Sequence, residues 1–151
     1  MKKLLWIVPA LLIITGFAFF TNKPKGEVEN AHKTGIIFFE GTWALALEKA
    51  KKENKPIFVD FYAVWCGPCK LLKNETFVDK AVADYYNKNF INLSIDAERG
   101  EGIELAEKFY VNAYPTLYIL NKEAKPVLTF KGYLPPKEFL NFGEQGFKKA
   151  K

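Results

Sequence analysis

The stretch Val59-Asp60-Phe61-Tyr62-Ala63-Val64-Trp65-Cys66-Gly67-Pro68-Cys69-Lys70 decides the reading of this 151-residue chain. Just upstream, Pro56 opens an apolar run, Ile57 to Tyr62, broken only by Asp60. Such near-continuous apolarity fits a central strand covered on both faces. A helical pattern begins near Pro68, where proline is tolerated in the first turn, so the segment reads as strand, turn and helix. Cys66 then falls at the helix N-terminus, where free N–H groups and the helix dipole favour a thiolate. Cys69 lies one turn on along the same face, near enough for a disulfide. Gly67 is expected to let the chain turn tightly and Pro68 to stiffen the ring. On this reading Cys66 is an exposed attacking sulfur and Cys69 a shielded resolving one. A Cys-x-x-Cys is weak evidence alone and strong evidence at a strand-to-helix junction.

Scarcity narrows the chemistry. The only cysteines are Cys66 and Cys69 and the only histidine is His32, in a polar stretch. Two thiolates cannot complete a structural zinc site, and a histidine-based nucleophile would depend on His32 alone. No metal or organic cofactor is expected. The cysteines are either a redox couple or two idle thiols. The net charge of +5 comes from the ends, because residues 31–147 carry 15 charges of each sign. A nucleic-acid face is therefore not expected. With 49% apolar and 16% aromatic residues the chain can fill one core, and nothing in it demands more than a monomer.

Three segments organise the chain. Lys2 and Lys3 precede an uncharged run from Leu4 to Phe20, with Thr21-Asn22-Lys23-Pro24 after it. That layout marks residues 1–22 as a signal peptide or membrane anchor. As a helix the run would span about 26 Å, just short of the ~30 Å hydrocarbon core. Cleavage and tethering through residues 4–20 both stay open, and the rest of the protein is expected outside the cytoplasm, in the cell envelope. Residues 23–35 read as a linker and 36–151 as the folded domain. There, Thr42 is expected to cap a helix through Glu53, and Phe90 to Ile95 to form a second strand. A long helix is expected from about Pro68 to Asn87, and another from Glu101 to Tyr110. Thr116 to Leu120 and Val127 to Lys131 read as strands before a last helix opened by Pro135-Pro136. The fold class is α/β, a mixed sheet between helices. Phe77, Phe90, Phe109, Phe130, Phe139 and Phe142 are core candidates.

The quoted stretch, with Ala113-Tyr114-Pro115-Thr116, resembles the thioredoxin superfamily over roughly residues 40–147. Two phrases resemble the C-terminal thioredoxin-like domain of the membrane electron-transfer protein DsbD and its stand-alone exported relatives. These are Glu48-Lys49-Ala50-Lys51-Lys52-Glu53-Asn54-Lys55-Pro56, and Glu75-Thr76-Phe77 followed by Asp79 and Val82. The resemblance implies a thioredoxin fold with Cys66 as attacking and Cys69 as resolving cysteine. It makes Asp60 the buried acid that relays a proton from the resolving thiol. It also implies that Pro115 is a cis-proline beside which substrate backbone adds as a strand, and that Trp65, Gly67, Pro68 and Tyr114 meet substrate. The implied partners are disulfide-containing proteins and a membrane thiol donor.

Two positions depart from the thioredoxin pattern. Asn92 stands where thioredoxin has a lysine paired with the buried acid, so the acid should stay protonated to higher pH. Tyr114 replaces an aliphatic residue at the substrate contact, which bears on partner choice. The Gly-Pro dipeptide between the cysteines resembles that of reducing thioredoxins, so the expected activity is protein-disulfide reduction. Disulfide isomerase or oxidase is the alternative. A non-catalytic chaperone or binding module of the same fold is the rival from another class.

Overall fold

A strand that must be apolar on both faces sits at the centre of the sheet, and β1 (Ile57–Tyr62) does so. This computed structural model describes residues 35–151. The expected signal or anchor at 1–22 and most of the linker lie outside the described residues. β1 pairs in parallel with β2 (Ile91–Asp96) and antiparallel with β3 (Thr116–Leu120), which pairs antiparallel with β4 (Pro126–Lys131). The order β2-β1-β3-β4 makes a mixed sheet flanked by helices, the thioredoxin fold.

Helix α1 (Trp43–Glu53) starts where Thr42 Oγ1 accepts the Leu45 N–H at 3.3 Å. It stops at Asn54, which takes the left-handed conformation common just past helix ends. The single helix expected over 68–87 is instead two. α2 (Gly67–Leu71) runs into one π-helical turn, Leu72–Thr76, and α3 (Lys80–Asn89) begins afresh after Asp79. Asp79 is an N-cap inside the apparent period, its Oδ1 accepting the Val82 N–H at 3.0 Å. Thr76, fully buried, donates to the Leu134 carbonyl and ties the π turn to the loop before the last helix. α4 (Glu101–Lys108) crosses from β2 toward β3, and α5 (Pro136–Ala150) packs against α3 and β3.

Two apolar clusters fill the sheet's two faces. Phe58, Tyr86, Leu117, Ile119 and Phe139 belong to one, Val59, Phe61, Leu93 and Phe109 to the other. Five of the six candidate core phenylalanines are buried. Phe130 is not, because β4 is an edge strand whose residues stay largely solvent-facing. The opposite edge, β2, is covered by the chain entering from Gly35, where the Phe39 N–H donates to the Asn92 carbonyl. Among the described residues no helix is long and apolar enough to cross a membrane.

Candidate active site

The C-terminal end of β1 carries the site. The strand ends at Tyr62, and Ala63-Val64-Trp65 leads the chain to Cys66, the N-cap of α2. Cys66 Sγ accepts the Cys69 N–H at 3.1 Å, a side-chain cap supplied by sulfur. Cys66 and Cys69 form a disulfide with Cα atoms 5.3 Å apart. Pro68 sits in the first turn, as expected.

Two expectations need correction. Cys66 is not exposed in the disulfide form: it is 2% accessible and Cys69 is 7%. The pair packs with Ala63 beneath and Tyr62 and Tyr114 against it. Nor does the backbone require glycine at 67. Gly67 has no positive φ, and a Cβ there would meet nothing within 4 Å. The missing side chain leaves open surface beside Cys66.

Asp60 is 4% accessible, on the β1 face shared with Phe58. Ser94 Oγ donates to its Oδ2 at 3.1 Å, and Oδ1 has no partner among the described residues. Burial raises its pKa to about 7, and the Ser94 hydrogen bond pulls the other way. Asn92 brings no cation, and its amide turns to the Ile37 carbonyl at 3.3 Å and Asn87 Oδ1 at 3.4 Å. Asp60 and Cys69 line one cavity of about 420 Å³, walled by Phe38, Tyr62 and Phe77 with Lys70 and Lys73 also lining it.

Across the disulfide, the Tyr114-Pro115 peptide bond is cis. The Pro115 carbonyl accepts the Gly132 N–H at 2.8 Å, whereas the Tyr114 N–H and C=O have no partner among the described residues. Trp65 is 65% accessible. Its indole stands edge to face with Tyr114, centroids 5.8 Å apart, and its Nε1–H donates to Glu98 Oε2 at 2.9 Å. Cys66, Cys69, Asp60, Trp65, Gly67, Pro68, Tyr114 and Pro115 thus gather at one end of the sheet. Sequence reasoning missed Ser94 and Glu98. The parallel register Asp60↔Ser94 would have revealed the first, whereas nothing local points to Glu98. No group of three or more His, Cys, Asp or Glu among the described residues could hold a metal ion.

A close cysteine pair capping a helix, facing a cis-proline at the end of a mixed sheet, defines the thioredoxin-fold class of thiol–disulfide exchange proteins. The chain belongs to the thioredoxin-like family, whose domain model matches residues 43–147. It is 33% identical to chloroplastic thioredoxin Y of Oryza sativa subsp. japonica over 104 residues, 69% of this chain and 58% of that protein. It is 36% identical to the thiol:disulfide interchange protein DsbD of Vibrio vulnificus (strain CMCP6) over 98 residues, 62% of this chain but 16% of that longer protein. Among solved structures, a candidate disulphide-isomerase from Bacteroides thetaiotaomicron is 43% identical with a TM-score of 0.67, covering 75% of this chain and 93% of that one. The oxidised DsbD C-terminal domain of Neisseria meningitidis is 25% identical with a TM-score of 0.60, covering 73% and 99%.

Proposed function

We propose that this protein is an exported protein-disulfide reductase of the cell envelope. The observation that carries the reading is the shared cavity: the resolving sulfur and an acid with a pKa of about 7 line the same space. In the reduced protein the Cys66 thiolate, favoured by the N-terminus of α2, attacks a substrate disulfide. One substrate sulfur bonds to Cys66 and the other leaves as a thiolate. Ionised Asp60 then takes the Cys69 proton, directly or through water in the cavity. The Cys69 thiolate attacks Cys66 Sγ, closing the Cys66–Cys69 disulfide and releasing the reduced substrate. Two electrons pass to substrate, and a dithiol donor returns the pair to the reduced state.

The unpaired Tyr114 N–H and C=O suit an extended substrate segment added beside Pro115. Trp65, Gly67 and Pro68 are the other surfaces it would meet. Likeness to DsbD supports a membrane thiol carrier as donor, and the Leu4–Phe20 run supports export or tethering. A monomer suffices for these steps. Isomerisation is the second reading, favoured by the Bacteroides relative; it needs Cys66 to start exchange but not net electron flow.

Equilibration of the full chain with glutathione or dithiothreitol buffers tests the direction. A Cys66–Cys69 potential near thioredoxin's, about −270 mV, is expected. A value near DsbA's, about −120 mV, would overturn the reductase reading, since the gap of roughly 150 mV is about 7 kcal/mol of disulfide stability.

A further inference from the structure

The surface beside Cys66 is chemically lopsided. From Asp96 to Glu104 the chain carries four carboxylates against one cation, Arg99. Arg99 Nε lies 3.5 Å from Asp96 Oδ2, and Glu101 Oε1 accepts the Trp43 N–H. Glu98 is engaged differently. Its Oε2 holds the Trp65 indole, while its Oε1 has no partner among the described residues. The field of Glu98 and Asp96 reaches Tyr114, whose phenol pKa is raised first by burial and then by these two carboxylates. A widely exposed indole, a tyrosine ring set against it and a carboxylate with one free oxygen therefore adjoin the attacking sulfur.

We infer that Trp65, Tyr114 and Glu98 form a subsite for a cationic side chain, so that the preferred substrate segment carries Lys or Arg next to its disulfide cysteine. The inference rests on the exchange reading above and adds the substrate class. Indole is the best cation–π face among the side chains, and the free carboxylate oxygen supplies an ion pair at the ring edge. The Trp65–Glu98 hydrogen bond keeps the two together, because an exposed indole has little packing to hold it. An acidic neighbour in the substrate would instead meet Glu98 as a like charge.

The test uses mixed-disulfide formation, the first step of reduction and of isomerisation alike. The reduced full-length Cys69→Ser protein is mixed with peptide disulfides identical except for Lys, Gln or Glu beside the cysteine. Cys66 attacks, one peptide sulfur stays bonded to it, and the other leaves as a thiolate with no net change in oxidation. Each rate is divided by that peptide's rate with a small neutral thiol, removing the effect of the charge on the leaving group. The Lys peptide should outpace the Glu peptide by about fivefold to tenfold at low salt. The ratio should shrink in high salt. Glu98→Gln, which keeps an acceptor for the indole N–H, should cut the ratio to about twofold, the share left to the Trp65 face, and Glu98→Lys should invert it. Unchanged NMR proton–proton contacts between the Trp65 and Tyr114 rings in Glu98→Gln confirm that the indole has not moved. Efficient trapping with a ratio of one in the protein with Glu98 intact would overturn the subsite alone. A ratio undiminished by Glu98→Gln would overturn the assignment to Glu98. Absence of any adduct would overturn the exchange reading and the subsite with it.

Discussion

Phe58 and Asp60 are two residues apart on β1 and point to the same face of the sheet, yet their surroundings differ sharply. Phe58 is fully buried among rings. It meets Tyr86 at 5.0 Å, Phe139 at 5.4 Å and Phe77 at 6.2 Å between centroids, all edge to face. Tyr86 stacks on Phe139 at 4.5 Å, and its hydroxyl donates to the Phe139 carbonyl. There is no spare room on α5, where a Cβ at Gly143 would press on the Tyr86 ring and one at Gly146 would collide with Ile119. One pleat along the strand, Asp60 faces a cavity with one carboxylate oxygen unpaired. Phe77 is the wall between the two regions, packing on Phe58 and lining the cavity. The lesson is a division of labour along six residues: dense aromatic packing anchors the strand, and the strand's far end holds a carboxyl at a cost to stability.

Each end of β1 responds to its own substitution. Phe58→Ala should lose about 3–5 kcal/mol of unfolding free energy, the range for truncating a buried aromatic. Urea unfolding measures it, and a loss under 1 kcal/mol would mean that the packed end does not anchor the strand. Asp60→Asn should do the opposite. In the unfolded chain Asp ionises near 3.9, but in the folded protein Asp60 ionises only at about 7. Between those values the unfolded state holds fewer protons, so stability falls as pH rises and the loss is complete above pH 7. Asp60→Asn should therefore be more stable than wild type by up to about 4 kcal/mol at pH 8, with no gain near pH 4. The same variant should slow turnover of a disulfide substrate by about a hundredfold, because Cys69 loses its proton acceptor. Unfolding curves at both pH values, paired with turnover rates, separate these effects.

How far each region could be read from the sequence follows the same division. β1 and β3 appear with the boundaries expected, because an apolar run preceded by Pro56 or by Pro115 leaves little freedom. The Thr42 cap and the proline-led α5 were legible for equally local reasons. The break between α2 and α3 was not, since apolar spacing carries on through Phe77 and Val78 and conceals the Asp79 cap. The cysteine pair, Asp60 and Pro115 were legible as a motif. Ser94 was legible only through the parallel register, and Glu98 only through tertiary structure. Cys66 was expected to be exposed as the attacking sulfur of the pair, but Tyr114, 48 residues away in sequence, packs against the closed disulfide.

The smallest expected effect is also the most telling. Carboxyl carbon NMR of the disulfide form should show Asp60 titrating with a midpoint of about 7. In Ser94→Ala, which removes the one hydrogen bond to Oδ2, the midpoint should move up by about one unit. Tyr62, Lys70 and Lys73 are the other ionisable side chains lining that cavity and are the same in both proteins. Titration of Asp60 near 4, in the ordinary carboxylate range, would contradict the account: the acid would be ionised throughout, and the cavity end of β1 would hold no proton to exchange with Cys69.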